Sequence, residues 1–310
     1  MSLREKNEST DKWTQIQARL TPGEQFSWTP YLYLVPALLL YTVVLVYPLI
    51  DTFLLSFQEV TTLGGEREWV GLRNYEAILT DSLFWESLFN TFIFSFGMVF
   101  IPLILGLVLA VLIDTKVQGS STARVLIFLP VVVPLVVAAI VFNWILGSNG
   151  LLNYALVSIG VLDEPMRIVN STRWSLPSVM LMVIWKRVGY YMVILYAGLQ
   201  AIPDSMYEAA RIAGKSRWEQ FRSITLPLLK PAILITVVIG IIDSIRAFAH
   251  VFVMTGGGPS NSSEVIATHF YKVAFEWFQF GMGAAYGFIL FAMALVLSML
   301  VIWMSGGSEI

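Results

Sequence analysis

The chain has 310 residues, of which 57% are hydrophobic and only 13% are charged. Charged residues make up about a quarter of an ordinary soluble domain, so this composition excludes that class and indicates an integral membrane protein. The sequence has no cysteine, which excludes disulfides and thiolate metal sites, and its two histidines cannot supply a metal site by themselves. The net charge of -2 decides little, because in membrane proteins the distribution of charge matters more than its sum.

The predicted elements begin with a polar tail, residues 1–30, which has no apolar core of its own and therefore does not resemble a signal peptide. Six apolar segments follow within a single transmembrane domain at 31–304, each long enough to cross a hydrocarbon core about 30 Å thick. They are expected at about 31–57, 88–113, 123–146, 176–202, 231–254 and 280–304. The sequence thus predicts an all-α membrane protein with six transmembrane helices.

The connections between these spans predict how the chain is oriented. Lys and Arg are more frequent in the tail and in the connections at 114–124 and 204–231 than in the opposite ones. Cytoplasmic loops carry this excess, so the amino terminus is expected in the cytoplasm. Of the opposite connections, the first contains VGLRNYEAILTDSLFWESLFNT, whose aromatic residues predict a helix along the membrane interface.

The strongly charged connection at 204–231 contains Gly214-Lys215-Ser216, a tripeptide that also closes the phosphate-binding loop of ATPases and GTPases. That loop requires another glycine five residues before Gly214, where this chain has Ala209, and it must follow a buried strand. The residues before Ala209 instead open like a helix. The chain is therefore predicted to have no ATPase site of its own.

The same connection is predicted to form a basic amphipathic helix, a turn at Gly214 and a second short helix that ends near Pro227. Glycine adopts turn conformations that other residues resist, so the helix pair would form a compact knob. Such a knob suits docking into a groove of a soluble partner. Charge alone fits equally well a plain cytoplasmic loop with the usual positive excess.

Polar residues within the fourth span are candidates for a substrate pathway, because each costs about 2.5 kcal/mol or more at mid-membrane unless it faces a cavity or a partner. Lys186 and Arg187 stand one turn from Tyr190 and Tyr191. This combination of hydrogen-bonding groups and flat rings suits sugars. The alternative is that Lys186 and Arg187 pair with a neighbouring helix.

The fifth span holds Asp243, Arg246 and His250, whose spacings of three and four place them on one face of a helix. One hypothesis is that this face lines the pathway and that Arg246 contacts substrate or forms part of a gate. The alternative is a closed structural network in which Asp243 and Arg246 form a local ion pair.

The charged connection resembles the EAA loop of permease subunits in ATP-binding-cassette importers. Its matching residues are Glu208, Ala209, Ala210, Gly214, Ile224, Leu226, Pro227 and Pro231, with an aromatic between. The stretches GLQAIPDSMYEAA, VMTGGGP and VGLRNYEAIL also resemble binding-protein-dependent sugar permeases of the maltose and glycerol phosphate type. The loop departs from the family at Ala213 and Lys215, where the family usually has Asp and Ala.

The resemblance implies a permease subunit in the inner membrane of a prokaryote, forming half of a translocation pathway for a carbohydrate. The implied partners are a second homologous permease, two cytoplasmic ATP-binding-cassette subunits that bind ATP and Mg²⁺, an external solute-binding protein and membrane lipid, with no nucleic acid. The chain itself would carry no cofactor and would not be an enzyme. Residues expected at the ATPase are Glu208, Ala209, Ala210, Gly214, Lys215 and Arg217.

Several alternatives stay open at this stage. Gly256, Gly257, Gly258 and Pro259 form either a simple turn or a docking surface for the binding protein. Basic residues in the spans make glycerol-3-phosphate or its diester the second substrate class after a mono- or oligosaccharide. A secondary transporter acting alone is the second functional class, although such carriers usually have paired repeats and midplane carboxylates, and here only Asp243 would serve.

Overall fold

The computed structural model describes residues 29–60, 65–114, 119–245 and 247–304, and these are mostly helical. The helices before the charged connection are α1 (Thr29–Tyr41), α2 (Tyr47–Leu55), α3 (Arg73–Thr80), α4 (Ser82–Asp114), α5 (Ser120–Val132), α6 (Leu135–Leu146), α7 (Leu151–Ser158) and α8 (Ser175–Gln200). Those that follow are α9 (Asp204–Ile212), α10 (Arg217–Gln220), α11 (Leu226–Leu228), α12 (Lys230–Ile245), α13 (Phe248–Met254), α14 (Ile266–Tyr271) and α15 (Phe280–Met304). Three π-helical segments, Thr42–Val46, Phe221–Thr225 and Lys272–Glu276, extend neighbouring helices, and β1 (Gln58–Glu59) pairs antiparallel with β2 (Glu68–Trp69).

The chain divides into two compact units at Thr52. The first unit contains α1 and the start of α2, joined without interruption through the π-helical segment. The second unit begins at Phe53 and contains all the other elements named above.

Four helical stretches are long and apolar enough to cross a membrane, judged by length and composition. They are Leu32–Leu55, Ser82–Asp114, Leu135–Ser158 and Ser175–Gln200. A fifth candidate consists of Arg217–Leu228 and Lys230–Ser244, which are bent by 62° at the break between them. Two shorter apolar helices are Ser120–Val132 and Phe280–Val296.

The segment predicted as one span at 123–146 consists of two helices, because the chain is extended at Val133 and Pro134. Proline has no backbone N–H to continue a helix, and it disfavours helical conformation in the residue before it. The segment predicted at 231–254 contains α12 and α13. Residue 246 lies between them, outside the described residues.

α4 and α8 run side by side in the same direction within the second unit. The backbone of α4 at Gly106 lies against Tyr191, and further along the Gln200 amide donates to Asp114 Oδ1 at 2.5 Å. Near the opposite end of the bundle, the Asn143 amide on α6 donates to the Met254 carbonyl at the end of α13 at 3.0 Å. α8 therefore packs along α4 from Tyr191 to Gln200, and α6 contacts the end of α13.

Close helix crossings place α8 at the centre of this arrangement. A Cβ atom at Gly189 would overlap the carbonyl of Ile127 on α5, and one at Gly240 of α12 would overlap the Tyr191 hydroxyl. Small residues allow membrane helices to approach closely, so α5 and α12 both contact α8 near its middle.

In the first long connection, the stretch predicted as an interfacial helix contains α3 and the start of α4. The inward face of α3 buries Ile78 and Asn74. The Asn74 amide donates to the carbonyls of Ser56 and Gln58 at 2.9 and 3.0 Å. These bonds attach α3 to the chain that enters β1.

Candidate functional site: a charged connection and a polar joint between helices

The charged connection folds into α9, a turn at Gly214 and a second helix that begins at Arg217. Gly214 has φ +76°, a left-handed conformation that glycine adopts without steric cost. The N–H groups of Gly214 and Lys215 donate at 3.0 Å to the carbonyls of Arg211 and Ala210, which completes the end of α9. The turn thus fixes the angle between the two helices.

Ser216 begins the second helix with a capping box. Its hydroxyl accepts from the Glu219 N–H at 3.3 Å, and its own N–H donates to Glu219 Oε2 at 2.7 Å. Hydrogen bonds from the Ser216 hydroxyl and N–H hold the pKa of the exposed Glu219 carboxyl below its ordinary value. The Lys215 ammonium donates to Ser223 Oγ at 3.2 Å, so this residue turns back onto the second helix.

One face of the connection is packed against the membrane helices. Ala210, Ile224 and Leu229 are buried in a cluster with the ends of α4 and α8. The hydroxyls of Tyr207 and Thr225 lie 2.9 Å apart and join the first helix to the second. The connection is therefore attached to the helices on both sides of it.

The opposite face is exposed and partly apolar. Ile212 is 89% exposed and Trp218 is 69% exposed, and Trp218 stacks on Phe221 with ring centroids 5.5 Å apart. Glu208 and Ala209 are exposed as well. Of the residues predicted to face the ATPase, Ala210 points into the protein, whereas Glu208, Ala209, Gly214, Lys215 and Arg217 are exposed.

Near the middle of α8, Arg187 forms an ion pair with Asp243 of α12. Arg187 Nη1 lies 2.6 Å from Asp243 Oδ2, and the side chains are 23% and 30% exposed. Tyr190 is half-buried one turn further along α8. The structure thus brings together predicted residues of the fourth and fifth spans through a direct contact between helices.

Lys186 contacts a different neighbour, the break between α5 and α6. Its ammonium donates to the carbonyls of Pro130 at 3.2 Å, Val131 at 3.4 Å and Val133. These carbonyls are at the end of a helix, where backbone acceptors lack partners within the helix. The consecutive residues Lys186 and Arg187 of α8 therefore contact different helices, α5 and α12 respectively.

Two other predicted residues are buried near this ion pair. Tyr191 is fully buried, and its hydroxyl has no hydrogen-bond partner among the described residues. His250 is 9% exposed, its ring lies 6.2 Å from that of Phe94, and its Nδ1 also has no partner in the described part of the chain. Asp243 is on α12 and His250 is on α13, and Arg246 between them lies outside the described residues, so the shared face of these three residues stays a prediction.

An apolar cavity of about 230 Å³ lies between α4, α12, α14 and α15. Its lining includes Phe92, Phe96 and Ile241, but none of the predicted pathway residues that the structure describes. Within the same described ranges, no group of three His, Cys, Asp or Glu residues is placed to hold a metal ion.

Comparison with known protein families shows which family has this architecture. Residues 103–306 match the family described as "Binding-protein-dependent transport system inner membrane component", and that range includes the charged connection, the ion pair and the helix break that Lys186 contacts. The chain belongs to this family. It is a multi-pass membrane protein and a permease subunit of an ATP-binding-cassette importer, as the resemblance in sequence indicated.

Curated relatives extend over nearly the whole permease. It is 36% identical over 281 residues to a probable ABC transporter permease of Brucella suis biovar 1 (strain 1330), which covers 90% of this chain and 97% of that protein. It is 34% identical over 281 residues to the trehalose/maltose transport system permease protein MalF of Thermococcus litoralis, with coverage of 89% and 92%.

A solved structure shares the fold. The permease superposes with a TM-score of 0.76 and 22% identity on a chain from a bacterial ABC transporter involved in the import of the acidic polysaccharide alginate. The match covers 97% of this chain and 100% of that one.

In the permease, the predicted glycine run after α13 packs onto a buried ion pair that the sequence interpretation missed. Lys272 Nζ lies 2.6 Å from Glu264 Oε2, and Glu264 is fully buried. Gly257 has φ +86°, and a Cβ atom there would overlap the Glu264 carboxylate. Gly256, Gly258 and Pro259 are half-exposed, and the exposed tip of the loop is at 260–261.

Asparagine and hydroxyl side chains hold this loop to the start of α4 and α8. The Asn90 amide donates to the Glu264 carbonyl at 3.0 Å, the Ile266 N–H donates to Thr91 Oγ1 at 3.0 Å, and the Ser175 and Ser262 hydroxyls lie 2.9 Å apart. No periodic signal in the sequence marks these contacts, because they join residues far apart along the chain.

Proposed function

We propose that this chain is one of two permease subunits in an ATP-driven importer and forms half of the pathway for an uncharged carbohydrate. The supporting observation is the charged connection, with one face packed on the ends of α4 and α8 and the other exposing Ile212 and Trp218. Exposed apolar patches rimmed by polar residues mark interaction sites. The partner on this face is an ATP-binding-cassette subunit, which binds ATP and Mg²⁺.

Coupling then works through the attachment of the connection to both neighbouring helices. A displacement of α9 reaches α8 directly along the chain, and it reaches α12 through the contact between Tyr207 and Thr225. The fixed turn at Gly214 keeps the exposed groups of the two helices at constant positions relative to one another. Glu208 and Arg217 would contact the ATPase surface through their charges.

The translocation pathway is proposed along Arg187, Asp243 and Tyr190, with a contribution from Tyr191, His250 and Arg246. Arg187 and Asp243 offer donors and acceptors for sugar hydroxyls, and Tyr190 offers a flat ring. Because Arg187 is paired with Asp243 and the Lys186 ammonium donates to backbone carbonyls, both cations are already engaged within the protein. An uncharged sugar is therefore preferred to a phosphorylated polyol, and the trehalose/maltose system of the Thermococcus relative agrees with this class.

The complete topology is proposed to have six spans, with the amino terminus and the charged connection in the cytoplasm. In this arrangement α5 with α6, and α12 with α13, each cross the membrane as one broken span. The loop at 256–261 lies on the outer side, where its exposed tip would contact a substrate-loaded solute-binding protein. A second homologous permease completes the pathway.

The test is reconstitution of the permease with its partner permease, ATPase subunits and binding protein in lipid vesicles. We expect uptake of a neutral sugar that requires both ATP and the binding protein. A thermal shift of the binding protein across neutral sugars and glycerophosphodiesters identifies the ligand. Uptake without ATP would contradict the importer mechanism, and a shift with phosphorylated compounds alone would contradict the substrate class.

Glu208→Lys tests the coupling surface in the same vesicles. We expect the variant to assemble in the membrane and to lose the stimulation of ATP hydrolysis by loaded binding protein. Glu164→Lys, the same charge change at an exposed residue between α7 and α8, is the matched control. Full stimulation in Glu208→Lys, or an equal loss in Glu164→Lys, would remove the proposed role.

A further inference from the structure

Lys186 occupies a position where a charge is costly and where the backbone of a neighbouring helix needs a donor. The hydrocarbon core of a membrane offers no water to carbonyl groups that have lost their helical partners. The break at Val133 and Pro134 frees such carbonyls at the end of α5. The Lys186 ammonium donates to the carbonyls of Pro130, Val131 and Val133, so one side chain serves several acceptors, of which Pro130 also accepts the Val133 N–H at 3.3 Å.

The electrostatics of the break favour the same arrangement. The carboxyl end of a helix carries a partial negative charge, which attracts a cation and lowers the cost of holding an ammonium in the membrane. Lysine supplies three donors on a flexible stem, which matches three carbonyls that point in different directions.

From these contacts we infer that Lys186 is a positioning residue: it caps the broken helix α5 and thereby sets the rotation of α8, so that Arg187 faces Asp243. Successive residues of a helix point about 100° apart, so fixing Lys186 on α5 directs Arg187 toward a different neighbour. The Arg187–Asp243 contact on α12 is in agreement. Lys186 thus acts through the helices and does not contact the transported molecule.

This inference assigns Lys186 a role other than substrate binding. It rests on the proposed importer only for the transport assay. The close approach of Gly189 to Ile127, one turn from Lys186, supports it independently, because the same side of α8 is pressed against α5. A rotation of α8 would disturb both contacts at once.

The experiment compares Lys186→Met with Lys186→Arg in the full reconstituted complex. We expect Lys186→Met to lower the maximal transport rate about tenfold. The variant should keep the same preference among sugars and reach half of its maximal rate at the same concentration of loaded binding protein. Lys186→Arg, which keeps a charged donor, should recover most of the rate. A changed sugar preference in Lys186→Met would indicate substrate contact and overturn the inference.

A labelling measurement keeps the inference testable if transport is lost altogether. The chain has no native cysteine, so Val133→Cys gives a single reactive site at the break. Removing the cap should admit water to the freed carbonyls, and Lys186→Met is expected to speed the reaction of this cysteine with a water-soluble thiol reagent at least tenfold. An unchanged labelling rate would overturn the capping role even with the importer itself intact.

A double-substitution test addresses the cause of the effect. Pro134→Ala restores a backbone N–H at the break, so we expect Lys186→Met to slow transport less in that background than in the wild type. Pro36→Ala, at a proline inside α1, is the control and should leave the effect of Lys186→Met unchanged. Equal effects of Lys186→Met in all three backgrounds would contradict the inference.

Discussion

The ion pair between Arg187 and Asp243 makes a quantitative prediction about two single substitutions and their combination. Breaking a fully buried ion pair by removing one partner costs about 3–5 kcal/mol, because the remaining charge loses its partner without regaining water. Here the side chains are 23% and 30% exposed, so solvent screens part of this loss. We therefore expect Asp243→Ala or Arg187→Ala to lower the free energy of unfolding by about 2–3 kcal/mol.

The double variant Arg187→Ala with Asp243→Ala leaves neither charge unpaired. Its loss should be smaller than the sum of the single losses by about 1–3 kcal/mol, the interaction energy expected for groups in direct contact. Unfolding by a denaturing detergent in mixed micelles measures these free energies, and Arg173→Ala with Glu164→Ala is the control outside the bundle. Additivity of the two single effects within about 0.5 kcal/mol would refute the assignment of a direct pair.

Transport measured on the same variants separates a structural role from a role in the pathway. A pair that only holds α8 to α12 predicts that the double variant regains transport together with stability. The proposed pathway predicts that the double variant regains stability but transports slowly. Recovery of both transport and stability in the double variant would indicate that the pathway does not pass Arg187 and Asp243.

Three further predictions concern residues outside the spans. Gly214→Val places a branched side chain at φ +76°, which should destabilise the turn by about 1–2 kcal/mol and reduce binding-protein-stimulated ATP hydrolysis. Gly71→Val, at another glycine with positive φ, is the control. An equal loss of stimulated ATP hydrolysis in both variants would contradict a special role of the coupling turn. Gly257→Ala places a methyl group against the Glu264 carboxylate and should lower the thermal stability of the complex, and an unchanged melting temperature would contradict the close packing. Burial lowers the pKa of His269, so the unfolded state takes up its proton first and stability falls as pH drops below about 6.5. His269→Gln should flatten this dependence of melting temperature on pH. An unaltered slope in the variant would contradict the role of His269.

The sequence alone supported much of the architecture, because its strongest signals are local. Long apolar runs predict helices by composition, and the stretch around Glu208 and Gly214 carries a turn and a family resemblance within a few residues. The structure places Gly214 in the left-handed conformation that the turn requires. Pro134 was also visible in the sequence, but the third segment was predicted as a single span because its apolar run continues across the proline.

The polar contacts were harder to predict, because they depend on which helices become neighbours. Sequence spacing left open a local pair between Asp243 and Arg246, which lies outside the described residues, and it did not predict the partner of Asp243 on α8. Glu264 and Lys272 are eight residues apart, with no charge pattern that predicts burial, and the fold brings them together beneath Gly257. The carbonyl partners of Lys186 could not be predicted from the sequence, because they depend on where a helix breaks in another span.

The hydroxyl of Tyr191 is a buried polar group that the crossing of α8 and α12 leaves unsatisfied within the described part of the chain. It is buried against Gly240 without a hydrogen-bond partner in the described part of the chain, so this packing forgoes a bond worth about 0.5–1.5 kcal/mol. Any arrangement in which α8 and α12 separate enough to admit water or a substrate hydroxyl regains that bond. The missing bond therefore lowers the free-energy cost of separating α8 from α12, and a small cost suits a transporter that must visit two states in every cycle.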